Sequence, residues 1–227
     1  MKSIRNVLRR KIIKKEKLSK VNNSWEKDIG RVIGVTGTTR GCGSTYISLL
    51  IANSLKRLGG RKIAWIDMSG KGVSRFILAP KDRFITSYME GLKEREDGAK
   101  CSYKGVDYYE NGSGNGLLEA FNESYDHIVI DFGNVRDSPS RELLRCDIKV
   151  LVGLASPWKR IFFERYILSN KETMGKGKWR YVFNLTSGKR VKRFRSIYGI
   201  KAVNVEYEED FEEIENNFER ILVLLMG

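Results

Sequence analysis

Short apolar runs alternate with amphipathic segments along most of the chain. The runs are rich in β-branched residues, which is typical of strands buried on both faces of a sheet. The segments between them place apolar side chains three or four residues apart, as a helix with one buried side requires. The predicted strands span residues 31–36, 62–67, 125–131, 148–154, 179–185 and 202–205.

The helical pattern fills the intervals between these strands. Strand–helix alternation predicts parallel pairing, because parallel strands need a crossover connection that is usually a helix. We therefore predict one α/β domain with a doubly wound, mainly parallel sheet and helices on both faces. The pattern weakens between residues 68 and 116, where two short helical patches (73–78 and 86–94) and a glycine-rich loop are predicted. The other predicted helices span residues 45–58, 117–121, 142–146, 157–167 and 210–226.

Positive charge is concentrated in the first residues of the chain. The protein carries 42 Lys and Arg against 28 Asp and Glu, a net charge of +14. Residues 1–20 contain nine of these cations and one acid. A polar linker follows, so we divide the chain into a basic segment 1–24 and a domain 25–227. The segment is either a solvated tail or a basic amphipathic helix, and residues 1–20 are expected to bind an anionic membrane surface or nucleic acid.

Cysteine and histidine are too sparse for several classes of site. Cys42, Cys101 and Cys146 lack CxxC spacing, and His127 is the single histidine. This composition argues against a disulfide framework, a zinc site and a Ser–His–Asp triad. No apolar stretch approaches the length of about 18 residues that spans a membrane. The expected location is the cytoplasm, at the inner face of the membrane if the basic segment binds lipid.

The turn after the first predicted strand carries the strongest functional signal. Residues 34–45 read GVTGTTRGCGST and join a buried strand to an amphipathic helix. Backbone N–H groups of such a turn, together with a helix N-terminus, form a binding site for phosphate. Glycines at Gly37, Gly41 and Gly43 allow the backbone to curl closely. Thr45 follows where the hydroxyl of a phosphate-binding loop contacts Mg²⁺.

Together with three later segments, this turn resembles the ParA/MinD family of P-loop ATPases. Residues 62–67 (KIAWID) resemble the family's second strand, 125–133 (YDHIVIDFG) its Walker B strand, and 181–184 (YVFN) a strand near the adenine. The resemblance covers roughly residues 30–222 and implies a P-loop NTPase-like fold. It also implies ATP and Mg²⁺ as cofactors, a nucleotide-dependent homodimer and a protein partner.

The resemblance also implies a role for individual residues. Asp67 would orient the attacking water and Asp131 would act in catalysis as the Walker B aspartate. Thr45 and Asp131 would hold Mg²⁺, and Asn184 would contact the adenine. The implied phosphate-binding residues are Gly37, Arg40, Gly41, Cys42, Gly43, Ser44 and Thr45.

The loop departs from the family pattern where that pattern places positive charge. Ser44 stands at the position of the Walker lysine, Thr39 at that of the signature lysine and Arg40 at that of a glycine. We interpret the loop as a degenerate Walker A motif, as in relatives that position Flp/Tad-type pili. Hydrolysis is then weak or absent, because both lysines that face the β- and γ-phosphates are missing. ATP either binds as a conformational ligand or, if the site is fully eroded, no cofactor binds.

Three functions fit this sequence. The first is a ParA/MinD-like protein that acts in positioning or assembly at a membrane or a cellular apparatus. The second is an active ATPase of the same family, in which Arg40 or a residue of a partner subunit replaces the lysines. The third is a DNA-binding accessory protein, because residues 176–195 form a second basic block with eight cations and no acid. Within that block residues 179–185 are predicted to be a core strand and 189–195 an exposed basic cluster.

Overall fold

The computed structural model describes residues 31–59, 62–70, 72–73, 100–110, 115–135, 139–174, 178–206 and 217–226. The basic segment 1–20, the boundary at residue 24 and the predicted helix 86–94 lie outside these residues. So does the predicted helix 73–78, apart from Val73. The strands are β1 Val32–Gly37, β2 Ile63–Asp67, β3 Lys100–Tyr103, β4 Val106–Glu110, β5 His127–Asn134, β6 Ile148–Leu154, β7 Lys178–Asn184 and β8 Ala202–Val205.

These strands form one eight-stranded sheet in the order β3-β4-β2-β5-β1-β6-β7-β8. The pairs from β4 to β8 are parallel, and β3 pairs with β4 in the antiparallel direction. The predicted α/β fold with a mainly parallel sheet is therefore confirmed. The helices are α1 Ser44–Leu58, α2 Asn115–Asn122, α3 Arg141–Arg145, α4 Pro157–Ser169, α5 Lys171–Met174, α6 Gly188–Tyr198 and α7 Phe218–Met226.

Helices cover both faces of the sheet. On one face, α1 and α7 pack against Ile33, Val35 and other buried side chains of the central strands. On the opposite face, α3, α4 and α6 cover Leu151 and Phe183, and α2 covers the neighbouring part. This double layer agrees with the sequence, because the central strands are apolar on both faces. No helix among the described residues is long and apolar enough to cross a membrane.

The hairpin β3–β4 is the main feature that the sequence pattern missed. Its two strands are joined at Lys104 and Gly105, which have φ angles of 47° and 80°. Two successive positive φ angles are typical of the tight turn that matches the twist of paired strands. The turn was not recognised because lysine rarely takes the first of these positions. The C-terminal helix was predicted to begin at residue 210, but residues 207–216 lie outside the described part and α7 begins at Phe218.

Candidate functional site

The glycine-rich turn lies at the carboxyl ends of the central strands, between β1 and α1. Gly43 precedes α1 with a φ of 86°, and Gly41 has a φ of 74°. A Cβ atom at Gly43 would lie 2.1 Å from Nδ2 of Asn184, whereas one at Gly41 would meet no atom within 4 Å. Only glycine therefore fits at Gly43 without displacing a neighbour.

The inner side of the turn is closely packed. Cys42 is fully buried, and a Cβ atom at Gly37 would lie 2.2 Å from its Sγ atom. Ser44 is 2% exposed, so its side chain also points away from solvent. The backbone N–H and the hydroxyl of Thr38 both donate to the carbonyl oxygen of Val152, at 2.9 and 3.3 Å. These contacts hold the start of the turn against β6.

A hydroxyl and a carboxylate meet at the end of the turn. Thr45, in the first turn of α1, donates its hydroxyl to Oδ2 of Asp131 at 2.5 Å. The other carboxylate oxygen of Asp131 accepts from the backbone N–H of Gly133 at 2.9 Å. Asp131 is fully buried in β5. The sheet and the helix thus bring together the two oxygen ligands that the resemblance assigned to Mg²⁺.

Asp67 lies directly beside Asp131, because these two residues are in register on the parallel strands β2 and β5. The Oδ1 atom of Asp67 accepts from the backbone N–H of Ser69 at 2.9 Å and from its hydroxyl at 2.5 Å. The Oδ2 atom accepts from the backbone N–H of Val73 at 3.0 Å. Both oxygens therefore bind neutral donors in the segment that follows β2. In this arrangement Asp67 closes a turn, and its predicted contact with an attacking water stays a prediction.

Asn184 connects the end of β7 to the turn. Its Nδ2 atom donates to the carbonyl oxygen of Cys42 at 3.1 Å, and its Oδ1 atom accepts from the N–H of Leu185 at 3.0 Å. The side chain is 3% exposed. Asn184 therefore stabilises the conformation of the turn just before Gly43. Its predicted contact with adenine stays a prediction.

The structure brings the predicted site residues together at one edge of the sheet. Arg40 is the exception, because it lies exposed at the tip of the turn. The hydroxyl of Thr39 is buried and has no hydrogen-bond partner among the described residues. Sequence reasoning missed Ser69 and Thr38 as supporting residues. Ser69 follows Asp67 by two residues, the spacing at which a carboxylate often accepts from a backbone N–H, and this signal would have identified it.

The geometry of the site fits a bound phosphate in shape and a Mg²⁺ ion in ligand type. The positive φ angles at Gly41 and Gly43 and the N-terminus of α1 produce the curled backbone that cradles phosphates. Carboxylate and hydroxyl oxygens, as in Asp131 and Thr45, are ligands that Mg²⁺ prefers. Within the described residues, no group of three or more His, Cys, Asp or Glu is arranged to hold a metal.

The charge of the site fits less well. Between residues 32 and 55 the sequence contains one cation, Arg40. A phosphate bound in the turn would therefore be held by backbone N–H groups and hydroxyls, with little opposing positive charge from the turn itself.

No protein-family model matches the chain, and no curated protein matches its sequence. Solved structures do match its fold. A plasmid partition protein of Borrelia burgdorferi bound to AMPPNP is 16% identical with a TM-score of 0.56, and the match covers 87% of this chain and 98% of that one. MinD in the MinC:MinD complex of Aquifex aeolicus is 18% identical with a TM-score of 0.59, covering 87% and 96%.

A ParA family ATPase of Chlorobium tepidum TLS is 12% identical, with a TM-score of 0.57 and coverage of 88% of this chain and 99% of that one. At such identities the similarity concerns the fold. The fold of this chain is therefore that of the ParA/MinD ATPases, as the resemblance of its sequence segments implied.

Proposed function

We propose that this chain is a ParA/MinD-like nucleotide-binding protein with a degenerate Walker A loop, which acts in positioning or assembly at a membrane or a cellular apparatus. The hydrogen bond between Thr45 and Asp131 carries the proposal. It places a hydroxyl and a carboxylate beside the N-terminus of α1, where Mg²⁺ and phosphate would bind next to each other.

ATP is the nucleotide that we expect to bind. The plasmid partition protein of Borrelia burgdorferi, which has a similar fold, was solved bound to AMPPNP, an analogue of ATP. In this chain the N–H groups around Gly41, Gly43 and Ser44 would bind the phosphates, and Thr45 and Asp131 would hold Mg²⁺. When bound, Mg²⁺ would offset part of the phosphate charge. Asn184 would keep the turn in its binding conformation through Cys42.

The missing lysines limit what the bound nucleotide can do. A hydroxyl such as that of Ser44 donates a hydrogen bond but supplies no charge against the phosphates. We therefore expect weak binding of Mg-ATP and slow or absent hydrolysis. In this case ATP acts as a ligand that changes conformation or assembly. The competing proposal is an active ATPase in which Arg40 or a residue of a partner subunit supplies the charge.

Calorimetric titration with Mg-ATP tests the proposal. The wild type is compared with Ser44→Lys and with Ser44→Met, which has similar length but no charge. We expect Ser44→Lys to bind at least about tenfold more tightly than either of the others, because a charged donor to phosphate contributes more than a neutral one. Ser44 is buried, so the melting temperature of each variant is measured as a control for folding.

Each result discriminates between the candidate functions. Binding restored by lysine but not by methionine supports a degenerate nucleotide site. Rapid phosphate release by the wild type supports the active ATPase. If no variant binds Mg-ATP, the nucleotide proposal is wrong, and a DNA-binding accessory protein becomes the better candidate.

Assembly and the target surface need separate measurements. Sedimentation velocity with and without Mg-ATP tests for a nucleotide-dependent homodimer. Vesicle flotation and DNA co-sedimentation of the full chain test which anionic partner it binds. A variant in which Lys14 and Lys15 are replaced by Glu tests the contribution of residues 1–20, and equal binding by wild type and variant would contradict the role proposed for this segment.

A further inference from the structure

Helices α4 and α6 lie side by side on one face of the sheet. The ring of Phe163 from α4 lies 5.6 Å from that of Phe194 from α6, and both rings pack against Phe183 of β7. Phe194 also stacks on Tyr198 at the end of α6, with a centroid distance of 4.6 Å. The inner sides of the two helices therefore share one core, and their outer sides face solvent on the same face of the sheet. We call these outer sides the α4–α6 surface.

The outer side of α4 is apolar, although it faces solvent. Trp158, Ile161, Phe162 and Leu168 are 71%, 51%, 43% and 66% exposed. Ile161 and Phe162 follow Trp158 by three and four residues, and Leu168 follows Ile161 by seven. These spacings place the four side chains on one stripe of the helix, on the side opposite the buried Phe163. A helix that packs on a sheet normally presents polar residues to water. A stripe of four large exposed apolar side chains therefore indicates a contact surface for a membrane, a protein or another ligand.

The outer side of α6 is strongly basic. Val191 and Phe194 are its buried residues. The helix contains no acid, and its exposed cations are Lys189, Arg190, Lys192, Arg193 and Arg195. On α4, Arg165 adds a further exposed cation within the apolar stripe, while the acid Glu164 is paired with Arg160 at 2.7 Å. The α4–α6 surface thus combines exposed apolar side chains with a large excess of positive charge.

We propose that the α4–α6 surface binds the surface of an anionic lipid membrane. Cations next to exposed tryptophan and aliphatic side chains are the composition that binds the boundary between headgroups and acyl chains. Trp158, Ile161 and Leu168 enter this boundary, and the cations of α6 contact the lipid headgroups. The inference rests on the membrane role in the proposed function, for which it identifies a contact surface.

The aliphatic residues favour a membrane over nucleic acid. Binding to a phosphate backbone uses cations and polar groups, and bases stack on aromatic rings. Neither kind of contact uses aliphatic side chains such as Ile161 and Leu168. Of the aromatic residues next to the cations of α6, Trp179 and Phe194 are buried, and Tyr198 is 37% exposed with its ring stacked on Phe194. Burial of Ile161 and Leu168 in acyl chains, in contrast, is favourable in proportion to the apolar area removed from water.

Fluorescence of Trp158 tests the inference in the full-length protein. Trp25 is first replaced by Phe, which leaves Trp65 and Trp179, both buried, and Trp158, which is 71% exposed. The protein is mixed with vesicles that contain brominated lipids, either with anionic lipid or with zwitterionic lipid alone. We expect bromine to quench Trp158 in anionic vesicles only. Flotation of the same samples reports whether the chain associates with vesicles by any route.

Charge and apolar variants test the two parts of the surface. Lys192→Glu with Arg193→Glu is expected to weaken binding measured by Trp158 quenching by at least roughly 30-fold, since each cation near an anionic membrane contributes about fivefold and the new carboxylates add repulsion. The matched control makes the same charge change on α3, with Arg141→Glu and Arg145→Glu. Ile161→Ser with Leu168→Ser is expected to weaken binding by a similar factor. Its control is Val223→Ser, on α7 at the opposite face of the sheet.

The outcomes separate this inference from the proposed function. Quenching that is lost in the α6 variant and retained in the α3 variant supports the α4–α6 surface. Flotation without quenching of Trp158 overturns the surface but leaves the membrane role intact. Absence of flotation with anionic vesicles overturns both. If the emission of Trp158 responds to duplex DNA and not to vesicles, the surface binds nucleic acid and the inference is wrong.

Discussion

Buried or half-buried carboxylates lie at both ends of the central strands, but their surroundings differ. At the carboxyl ends, Asp67 and Asp131 accept hydrogen bonds from hydroxyls and backbone N–H groups. At the amino ends, Asp107 and Glu123 bind lysines. Glu123 pairs with Lys62 at 2.7 Å and with Lys100 at 3.0 Å, and Lys100 also lies 3.2 Å from Asp107. We call this group, together with Tyr109 and Tyr125, the lysine–tyrosine network.

The network neutralises its own charge. Burial opposes ionisation of Asp107, but hydrogen bonds from Ser102, Tyr125 and Lys100 hold its pKa below the ordinary value. Hydrogen bonds from Lys62 and Lys100 lower the pKa of Glu123 to about 2. Burial and the hydrogen bonds to Tyr109 and Asp107 raise the pKa of Tyr125. The carboxylates of the network are therefore already paired with lysines and hydrogen-bonded to tyrosines.

Asp67 and Asp131 sit where a bound cation would find ligands. The hydroxyl and backbone N–H groups that donate to these two carboxylates in the described part of the chain are neutral. A carboxylate held by neutral donors suits a divalent cation better than a carboxylate that is paired with lysine does. The two regions are stabilised in different ways. Close packing and neutral hydrogen bonds hold the turn. Lysine–carboxylate ion pairs and hydrogen bonds from tyrosine hydroxyls hold the network. The following predictions test this difference.

The largest effect is expected from Gly43→Ala. The new methyl group would overlap the amide of Asn184, and alanine is strained at a φ of 86°. Overpacking and strain together are expected to lower the free energy of unfolding by about 2–4 kcal/mol. Gly41→Ala is the matched control, because its φ is also positive but the space around it is open. This control is expected to cost about 1 kcal/mol. Chemical denaturation measures both, and equal losses would contradict close packing at Gly43.

The network is expected to respond to the loss of one hydroxyl. Tyr125→Phe removes a donor to Asp107 at 2.7 Å and a contact with the hydroxyl of Tyr109 at 2.8 Å. Hydrogen bonds to charged groups contribute about 1.5–3 kcal/mol, so a loss of that size is expected. Tyr103→Phe, on the half-buried edge strand β3, is the control and is expected to change stability by less than about 0.5 kcal/mol. Similar denaturation midpoints for wild type and Tyr125→Phe would show that the network is not stabilising.

The sequence predicted the turn much better than the network. Gly37, Gly41, Gly43 and Thr45 lie close together along the chain, so their spacing alone indicated their arrangement. Asp131 was also predicted, because residues 125–133 resemble the Walker B strand of the ParA/MinD family. The network depends on β2 lying between β4 and β5, and the hydrophobic pattern contains no information on strand order.

The hydrophobic pattern also could not predict contacts between distant parts of the chain, or which side of a helix faces solvent. Asn184 reaches Cys42 across 142 residues of sequence, and this contact requires β7 to lie near the turn. Apolar residues on α4 predicted a helix, but Phe162 and Phe163 are adjacent and equally apolar. The sequence pattern did not distinguish the two residues, whereas the structure buries Phe163 and leaves Phe162 43% exposed. Which side of such a helix faces the sheet depends on tertiary packing.

Acid is expected to weaken the network through Glu123. Its pKa is lowered from 4.5 to about 2, so its contribution to stability is full above pH 4.5 and is lost as the pH falls toward 2. Glu123→Gln is therefore expected to be less stable than wild type at pH 7, with a difference that disappears near pH 2. Glu119→Gln, at an exposed position of α2, is the control. Unfolding measured across this pH range would contradict the assignment if the difference for Glu123→Gln stayed constant.

The smallest effect on stability is expected from Arg40→Ala. Arg40 is exposed and has no hydrogen bond or ion pair among the described residues, so its loss should change the free energy of unfolding by less than about 0.5 kcal/mol. Affinity for Mg-ATP tests a different property. If Arg40 replaces the missing lysines, its removal should weaken binding about tenfold, and Arg40→Lys should restore most of it. Arg190→Ala on α6 controls for the change in net charge. Unchanged affinity in Arg40→Ala would leave the turn without a cation for phosphate, and any ATPase activity would then need a residue from a second subunit.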